Sequence, residues 1–364
     1  MAADDAGTES HGQLADRFNA YFTGALTMNL VYIGDQLGLY GALKKLGKAT
    51  SADLAESCLL GERWVREWLY QQASAKLLET DAEAKLFWMT EAQQDVLANE
   101  DGHDGSPHFL GGVAQQVVSI SPALPKIMEA FRTGMGLKYD DYGPGLAVGV
   151  RRELNVWVRH SMLATFCKIP GLKDSLEVGV MVADIGCGCG EGLLTLAQAF
   201  PKSTFHGYDT SAHALAEAKQ RLQEMGVTNA VFINPDEAPL PNEGRYDFMY
   251  TVDAVHDMAH PDQVLRGIRG CLREGARYLI CDVNSRDSPA ENIKEMPGVA
   301  AAAYGISTHV CLSSGLSEEG GMGLGTMGLT EPVVRRLAFD AGFGKFQKLH
   351  DFGRPDMNYF LLEA

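Results

Sequence analysis

The sequence predicts an α/β fold in which a mainly helical N-terminal part precedes a doubly wound, mostly parallel sheet. Three observations predict it. From about residue 178, apolar strand-like runs alternate with amphipathic helical stretches, and repeated βα units build a parallel sheet covered on both faces. The run Val182-Ala183-Asp184-Ile185 leads into Gly186-Cys187-Gly188-Cys189-Gly190-Glu191-Gly192, with glycine at every second position, and a helix-compatible stretch follows from Leu193 to Phe200. Upstream, two short helical patterns and a hairpin pattern follow one another between about residues 50 and 90.

The elements follow in chain order. Leu14, Phe18, Phe22, Leu26, Leu30, Ile33 and Leu37 recur at helical spacing, so a helix is expected over about Gln13 to Leu43. It is too apolar for an isolated surface helix and is expected to pack against a second subunit or the other domain. Thr50 is a good N-cap for a short helix. Gly61 to Leu78 reads as another helix, and Leu77 to Thr90 as a hairpin with a polar tip. Helix, helix and hairpin make a winged helix. Its second helix carries Glu62, Arg63, Arg66 and Glu67, so its charges cancel. Residues 106–177 read as a helical connector that covers the site, interrupted by the irregular loop Tyr139 to Gly145. Strands are expected at Val180–Ile185, Thr204–Tyr208, Ala230–Ile233, Tyr246–Val252 and Arg277–Val283, with a hairpin-like end from Lys345 to Leu362. The expected domains are therefore 1–105, 106–177 and 178–364.

Composition bounds the function. A chain of 364 residues suits two domains, and 46% hydrophobic residues suffice for a real core. The net charge of −16 argues against nucleic acid as a partner, because phosphate neutralisation needs a basic surface. No apolar run approaches a membrane span. The N-terminus has no basic region or apolar core, so no signal peptide is expected, and residues 1–10 are expected to be disordered. Seven scattered cysteines read as free thiols in a reducing compartment. The expected location is the cytoplasm.

The glycine loop carries the chemistry. Glycine permits a sharp turn and lets a ligand touch bare backbone. The following helix points its free N–H groups at that ligand. Some twenty residues on, Phe205-His206-Gly207-Tyr208-Asp209 forms a second buried strand ending in an acid, which suits a ribose diol. A dinucleotide fingerprint has its third glycine one residue later than this loop. Asp184 would repel a phosphate and welcome an ammonium group. S-adenosylmethionine (SAM) satisfies both conditions, with Asp184, Gly186, Gly188, Gly190 and Asp209 as its expected contacts.

With these residues in view, the chain resembles class I SAM-dependent methyltransferases that carry an N-terminal winged-helix domain. The resemblance covers bacterial winged-helix methyltransferases and, more distantly, plant-type small-molecule O-methyltransferases. It rests also on Gly34 to Tyr40, Val255 to Pro261, Tyr304 to Cys311, the glycine-rich stretch Gly320 to Gly328, and Asp340 to Phe343. It implies a Rossmann-like seven-stranded sheet whose last strand is antiparallel. It also implies SAM as cofactor, a small-molecule methyl acceptor and a homodimer joined through the winged-helix domains. A SAM-sensing regulator is the alternative from another class.

Residues after the fourth strand are the expected catalytic ones. His256 and Asp257 are similar to the His-Asp pair of O-methyltransferases, whose histidine takes the acceptor proton. A hydroxyl becomes a good nucleophile as its proton leaves, and an imidazole suits that task. The sequence does not fix O, N, S or C as the acceptor atom. Further cofactor contacts are expected from Thr210, Asp236, Glu237 and Asp253. Tyr142, Trp157 and His160 before the glycine loop, and Tyr304 and His309 after the fifth strand, are expected to wall the acceptor, with Tyr139 and Thr308 nearby. No metal is expected: Pro261 starts the next helix, so His256 and His260 need not share a face, and Cys187 and Cys189 have no neighbouring ligands in sequence.

Overall fold

The computed structural model describes residues 9–100 and 105–364. The disorder expected at the N-terminus falls mainly on residues 1–8, outside the described residues. The chain forms two compact units that meet at Val118 and Ser119. Most of the segment 106–177 therefore belongs to the second unit.

In the first unit, helix His11–Gln36 starts at a capping box: Gln13 N–H donates to Ser10 Oγ at 3.3 Å, and Ser10 N–H donates to Gln13 Oε1 at 2.9 Å. The single long helix expected here is broken after Leu37, because Gly38 takes a left-handed φ of 69° and opens a separate helix, Leu39–Leu46. Helix Ser51–Cys58 is capped by Thr50, as its sequence implies. Helix Glu62–Ser74 is shorter than its pattern, since Lys76 turns the chain with φ 63°. Strands β1 (Glu79–Thr80) and β2 (Phe87–Trp88) pair antiparallel, and Ala49 bridges Phe87 on the far side. Leu43, Leu54, Leu69 and Phe87 form the core. Inside it, Tyr40 donates its hydroxyl proton to Gln72 Oε1 at 2.5 Å; such a bond is worth about 1 kcal/mol net and far more if left unmade.

The apolar face of the first helix is left open. Phe18, Tyr21 and Phe22 are 70%, 66% and 62% exposed. On Glu62–Ser74 the charges pair along the helix itself, Arg63 with Glu67 at 2.6 Å and Arg66 with Glu62 at 3.3 Å. Among the described residues no helix is long and apolar enough to cross a membrane.

The second unit is built on seven strands: β3 (Met181–Ile185), β4 (Thr204–Tyr208), β5 (Ala230–Ile233), β6 (Tyr246–Val252), β7 (Leu272–Val283), β8 (Lys345–Lys348) and β9 (Met357–Glu363). Their order is β5-β4-β3-β6-β7-β9-β8, and only β9 runs antiparallel to its neighbours. Alternate residues face opposite layers, as period two requires. Val182, Phe205, Phe248 and Leu279 enter one core; Ala183, Met249, Tyr278 and Ile280 enter the other. From β3 the chain winds outward through β4 and β5, then returns to place β6 on the other side of β3. That reversal leaves a crevice at the carboxyl ends of β3 and β6, where ligands of such sheets bind.

Candidate active site

A cavity of about 540 Å³ opens at this reversal. Asp184, Gly186, Gly188, Gly190, Asp209, Thr210, Asp236, Asp253, Asp257 and Trp157 all line it. One cavity, walled by the ends of four strands, therefore brings together most of the residues expected to hold the cofactor.

The glycine loop leaves β3 and enters helix Glu191–Ala199 through Gly190. Two glycines are required for different reasons. Gly190 has φ 76°, and a Cβ there would meet Phe232 at 2.3 Å. Gly188 has φ 53°, yet a Cβ there would meet nothing within 4 Å. Gly188 thus faces open cavity, and bare backbone is available to a ligand. Asp209 braces the loop by accepting from Gly188 N–H at 2.7 Å and Ser211 N–H at 2.8 Å. Burial raises its carboxyl above the ordinary range, and those two N–H donors pull it back.

Asp184 is 5% exposed, and its Oδ1 has no hydrogen-bond partner. Burial pushes its carboxyl up to about 8. Tyr250 stands nearby and eases that penalty, but its hydroxyl is likewise without a well-formed bond. Trp157 adds a buried indole N–H that no group accepts. Buried polar groups are nearly always paired in native proteins. Unpaired atoms around one cavity, with an open glycine and a ribose-type acid, fit a polar nucleoside bearing an ammonium group. SAM meets that description.

The cavity wall beyond β6 is acidic, with Asp253 and Asp257 on it. Burial pushes Asp253 up to about 6 and Asp257 up to about 7. Asp253 holds a left-handed φ of 53°, and its N–H donates to Cys281 C=O at 2.8 Å. Strained non-glycine residues of this sort cluster at functional sites.

His256 lies in a 3₁₀ turn, Val255–Asp257, just past β6. It is 2% exposed and stands behind the cavity wall rather than on it. Its Nδ1 donates to Asp282 Oδ1 on β7 at 2.6 Å, which leaves Nε2 as the nitrogen that Asp282 does not hold. Burial, the largest single influence, disfavours the imidazolium, but Asp282 and Cys311 together outweigh it. His256 is therefore held well above the usual imidazole range. His260, by contrast, lines the cavity itself: it precedes helix Pro261–Cys271 and pairs with Glu318, also on the cavity wall, at 3.4 Å.

The other expected residues divide. Tyr142 is buried and donates its hydroxyl proton to His309 C=O. His309 donates from Nδ1 to Gly305 C=O at 2.7 Å. Tyr304 accepts from Asn292 Nδ2 at 3.2 Å, and Thr308 donates to Tyr304 C=O at 2.8 Å. His160 is exposed, as is Glu237. None of Tyr142, His160, Glu237, Tyr304 and His309 lines the cavity. Tyr139 does, because Asp140 beside it bonds Ser211 Oγ and accepts from Ala212 N–H at 2.8 Å.

Sequence reasoning missed three things here. Val158–Met162 and Ser307–Cys311 wind as π-turns inside helical stretches, a feature frequent at functional sites. Their side-chain pattern stays helical, so no sequence signal announces them. Asp282 is the partner of His256, though 26 residues separate them. The glycine-rich stretch after residue 320 closes over the His256 turn: Gly325 N–H donates to His256 C=O at 3.1 Å and Met322 N–H to Ala259 C=O at 2.8 Å. Two groups of potential metal ligands occur among the described residues, His256 with Asp257 and Cys311, and His256 with Asp253 and Asp282. Neither is a set considered from the sequence.

Comparison with known proteins agrees with this architecture. Residues 176–319 match the family described as "Methyltransferase domain", and residues 24–99 match the "Rv2258c-like winged HTH domain". Among curated proteins, the methyltransferase GfsG of Streptomyces halstedii is 31% identical over 116 residues, 31% of this chain and 41% of that protein. The chain thus spans under half the length of this curated relative. Among solved structures, human N-acetylserotonin methyltransferase in complex with SAM superposes with a TM-score of 0.69 at 17% identity, covering 99% of both chains. An O-methyltransferase family protein from Burkholderia thailandensis gives a TM-score of 0.70 at 13% identity, over 98% of this chain and 99% of that one. The chain has the class I SAM-methyltransferase fold behind an N-terminal winged-helix-like domain.

Proposed function

We propose that this protein is a SAM-dependent methyltransferase that methylates a hydroxyl of a small molecule, with His256 as the base. The observation that carries this reading is the His256–Asp282 pair, 2.6 Å apart at the carboxyl ends of β6 and β7 and directly behind the acidic cavity wall. SAM, when bound, supplies a methyl group already activated as a sulfonium. The chain's own residues do the rest. Asp184 pairs with the ammonium group, Asp209 accepts from the ribose diol, and Gly188 lets the nucleoside lie on bare backbone. Asp236 follows β5 on the cavity wall and serves the adenine end. The wall of Tyr139, Trp157, Asp253 and Asp257 fixes the acceptor and excludes water; positioning of this kind contributes on the order of 7–11 kcal/mol.

Asp282 fixes the His256 tautomer, so that Nε2 is the atom that takes the proton. Proton removal of this kind contributes about two to four decades in rate. The test is a methyl-transfer screen over hydroxyl, amine, thiol and thioether acceptors, repeated with His256→Ala. For a hydroxyl acceptor the variant should lose about two to four decades in turnover, with SAM affinity unchanged. Wild-type turnover in the variant would remove His256 from the chemistry.

We also infer that the protein is a homodimer. The open apolar face of His11–Gln36 supports this, because a patch of that size on a soluble chain marks an interface.

A further inference from the structure

The Nε2 side of His256 does not face empty space. Asp257 and Cys311 offer a carboxylate oxygen and a sulfur that lie, with an imidazole nitrogen, within 4.8 Å of one another. Nδ1 is occupied by Asp282, so the nitrogen available to this trio is Nε2. Cys311 is a free thiol, 8% exposed, at the end of the π-turn Ser307–Cys311. The π-turn sits opposite the turn that carries His256 and Asp257, which is how residues over fifty positions apart in sequence converge.

We propose that His256 Nε2, Asp257 and Cys311 form a binding site for one soft divalent cation of the zinc class. Imidazole, thiolate and carboxylate are the ligand types that zinc selects. At zinc bond lengths of about 2.0–2.3 Å, tetrahedral ligands stand about 3.5 Å apart, so the trio need close by only about an ångström. Asp282 supplies what such a site requires behind it. Metal-bound histidines donate their other ring N–H to a carboxylate, which fixes the ring and raises its basicity. Asp282 is 1% exposed and does this for His256. The second grouping, Asp253 with His256 and Asp282, has no such room, because its shared nitrogen is already bonded to the carboxylate. Asp257 lines the cavity, which gives the ion an entry. The inference goes beyond the methyltransferase reading and does not depend on it. One consequence links them: the ion and an acceptor proton compete for the same Nε2 lone pair. Zinc should therefore inhibit transfer to a hydroxyl.

The test uses the full-length protein, stripped with a chelator and dialysed. Zinc chloride is titrated by calorimetry, and cobalt(II) by absorption. One equivalent should bind, and the cobalt form should show a thiolate-to-metal charge-transfer band. Cys311→Ser should abolish that band and weaken zinc binding at least tenfold; Asp257→Asn should weaken it without removing the band. Far-ultraviolet circular dichroism and S-adenosylhomocysteine (SAH) binding establish that each variant is folded. If Cys311→Ser does not fold, the wild-type cobalt spectrum and Asp257→Asn decide the matter. No charge-transfer band in the wild type, or zinc binding that neither variant changes, overturns the site. SAH binding and metal-free methyl transfer, measured in the same preparations, report on the methyltransferase reading separately.

Discussion

The proposed pairing of Asp184 with the SAM ammonium group makes cofactor binding a proton-release reaction. Its carboxyl is buried, one oxygen is unpaired, and burial pushes its pKa up to about 8. At pH 7 such a group is mostly protonated. An ammonium group placed against it favours the ionised form and drives that proton off. SAH carries this ammonium but no sulfonium, so it isolates Asp184 from the acids at the methyl end. Binding of SAH at pH 7 should release most of one proton through Asp184. The assay is calorimetry in phosphate and in Tris, whose ionisation enthalpies differ widely. The slope of observed enthalpy against buffer enthalpy gives the proton count. Asp184→Asn should remove most of that release and weaken binding at least tenfold, about 1.4 kcal/mol. The sign also fixes a stability effect. A folded-state pKa raised above the unfolded one contributes stability below about pH 4, and that contribution is lost as pH rises through about 8. Bound SAH offsets the loss, so its thermal upshift should be larger at pH 8 than at pH 6. A proton count that is the same in wild type and Asp184→Asn would refute the placement of the ammonium group.

Three further outcomes follow from the geometry. Asp209→Ala should weaken SAM and SAH binding at least tenfold, about 1.4 kcal/mol, because it removes the ribose acceptor and the brace on Gly188; unchanged affinity in a folded variant would take Asp209 out of the site. Asp282 holds the His256 imidazolium above its usual range, and only the neutral ring accepts a proton. With chelator present, the rate for a hydroxyl acceptor should therefore rise with pH through a value above the ordinary imidazole pKa, and Asp282→Asn should move that limb to lower pH. An unmoved limb would show that His256 is not the titrating base. Light scattering should give a dimer at micromolar concentration, as large apolar interfaces produce, whereas a monomer would leave the face of Phe18, Tyr21 and Phe22 unexplained.

The sequence by itself determined the local elements and one half of the site. β4, β5 and β6 begin and end where their apolar runs do, because a buried strand needs an unbroken apolar run between turn residues. The cavity-lining residues Asp184, Gly188 and Asp209 were legible for a related reason. They sit at fixed offsets from a strand end, and the βα unit itself carries those offsets into space. The long first helix was misjudged at Gly38, where one left-handed residue outweighs a continuous helical pattern.

The acceptor side was not legible in this way. Whether His256 lines the cavity or stands behind it depends on Asp282 from β7 and on Cys311 from a π-turn. Those residues come from three separate elements, and only the order of strands and the winding of one helix bring them together. Tyr142, Tyr304 and His309 had the right residue types and the right neighbourhood, yet they bond to one another's backbone or to neighbours instead of lining the cavity. Side-chain type and sequence spacing fix what a residue can do along its own element. Which group it meets across the sheet is decided by packing, and here packing turned a single histidine into one end of a buried pair.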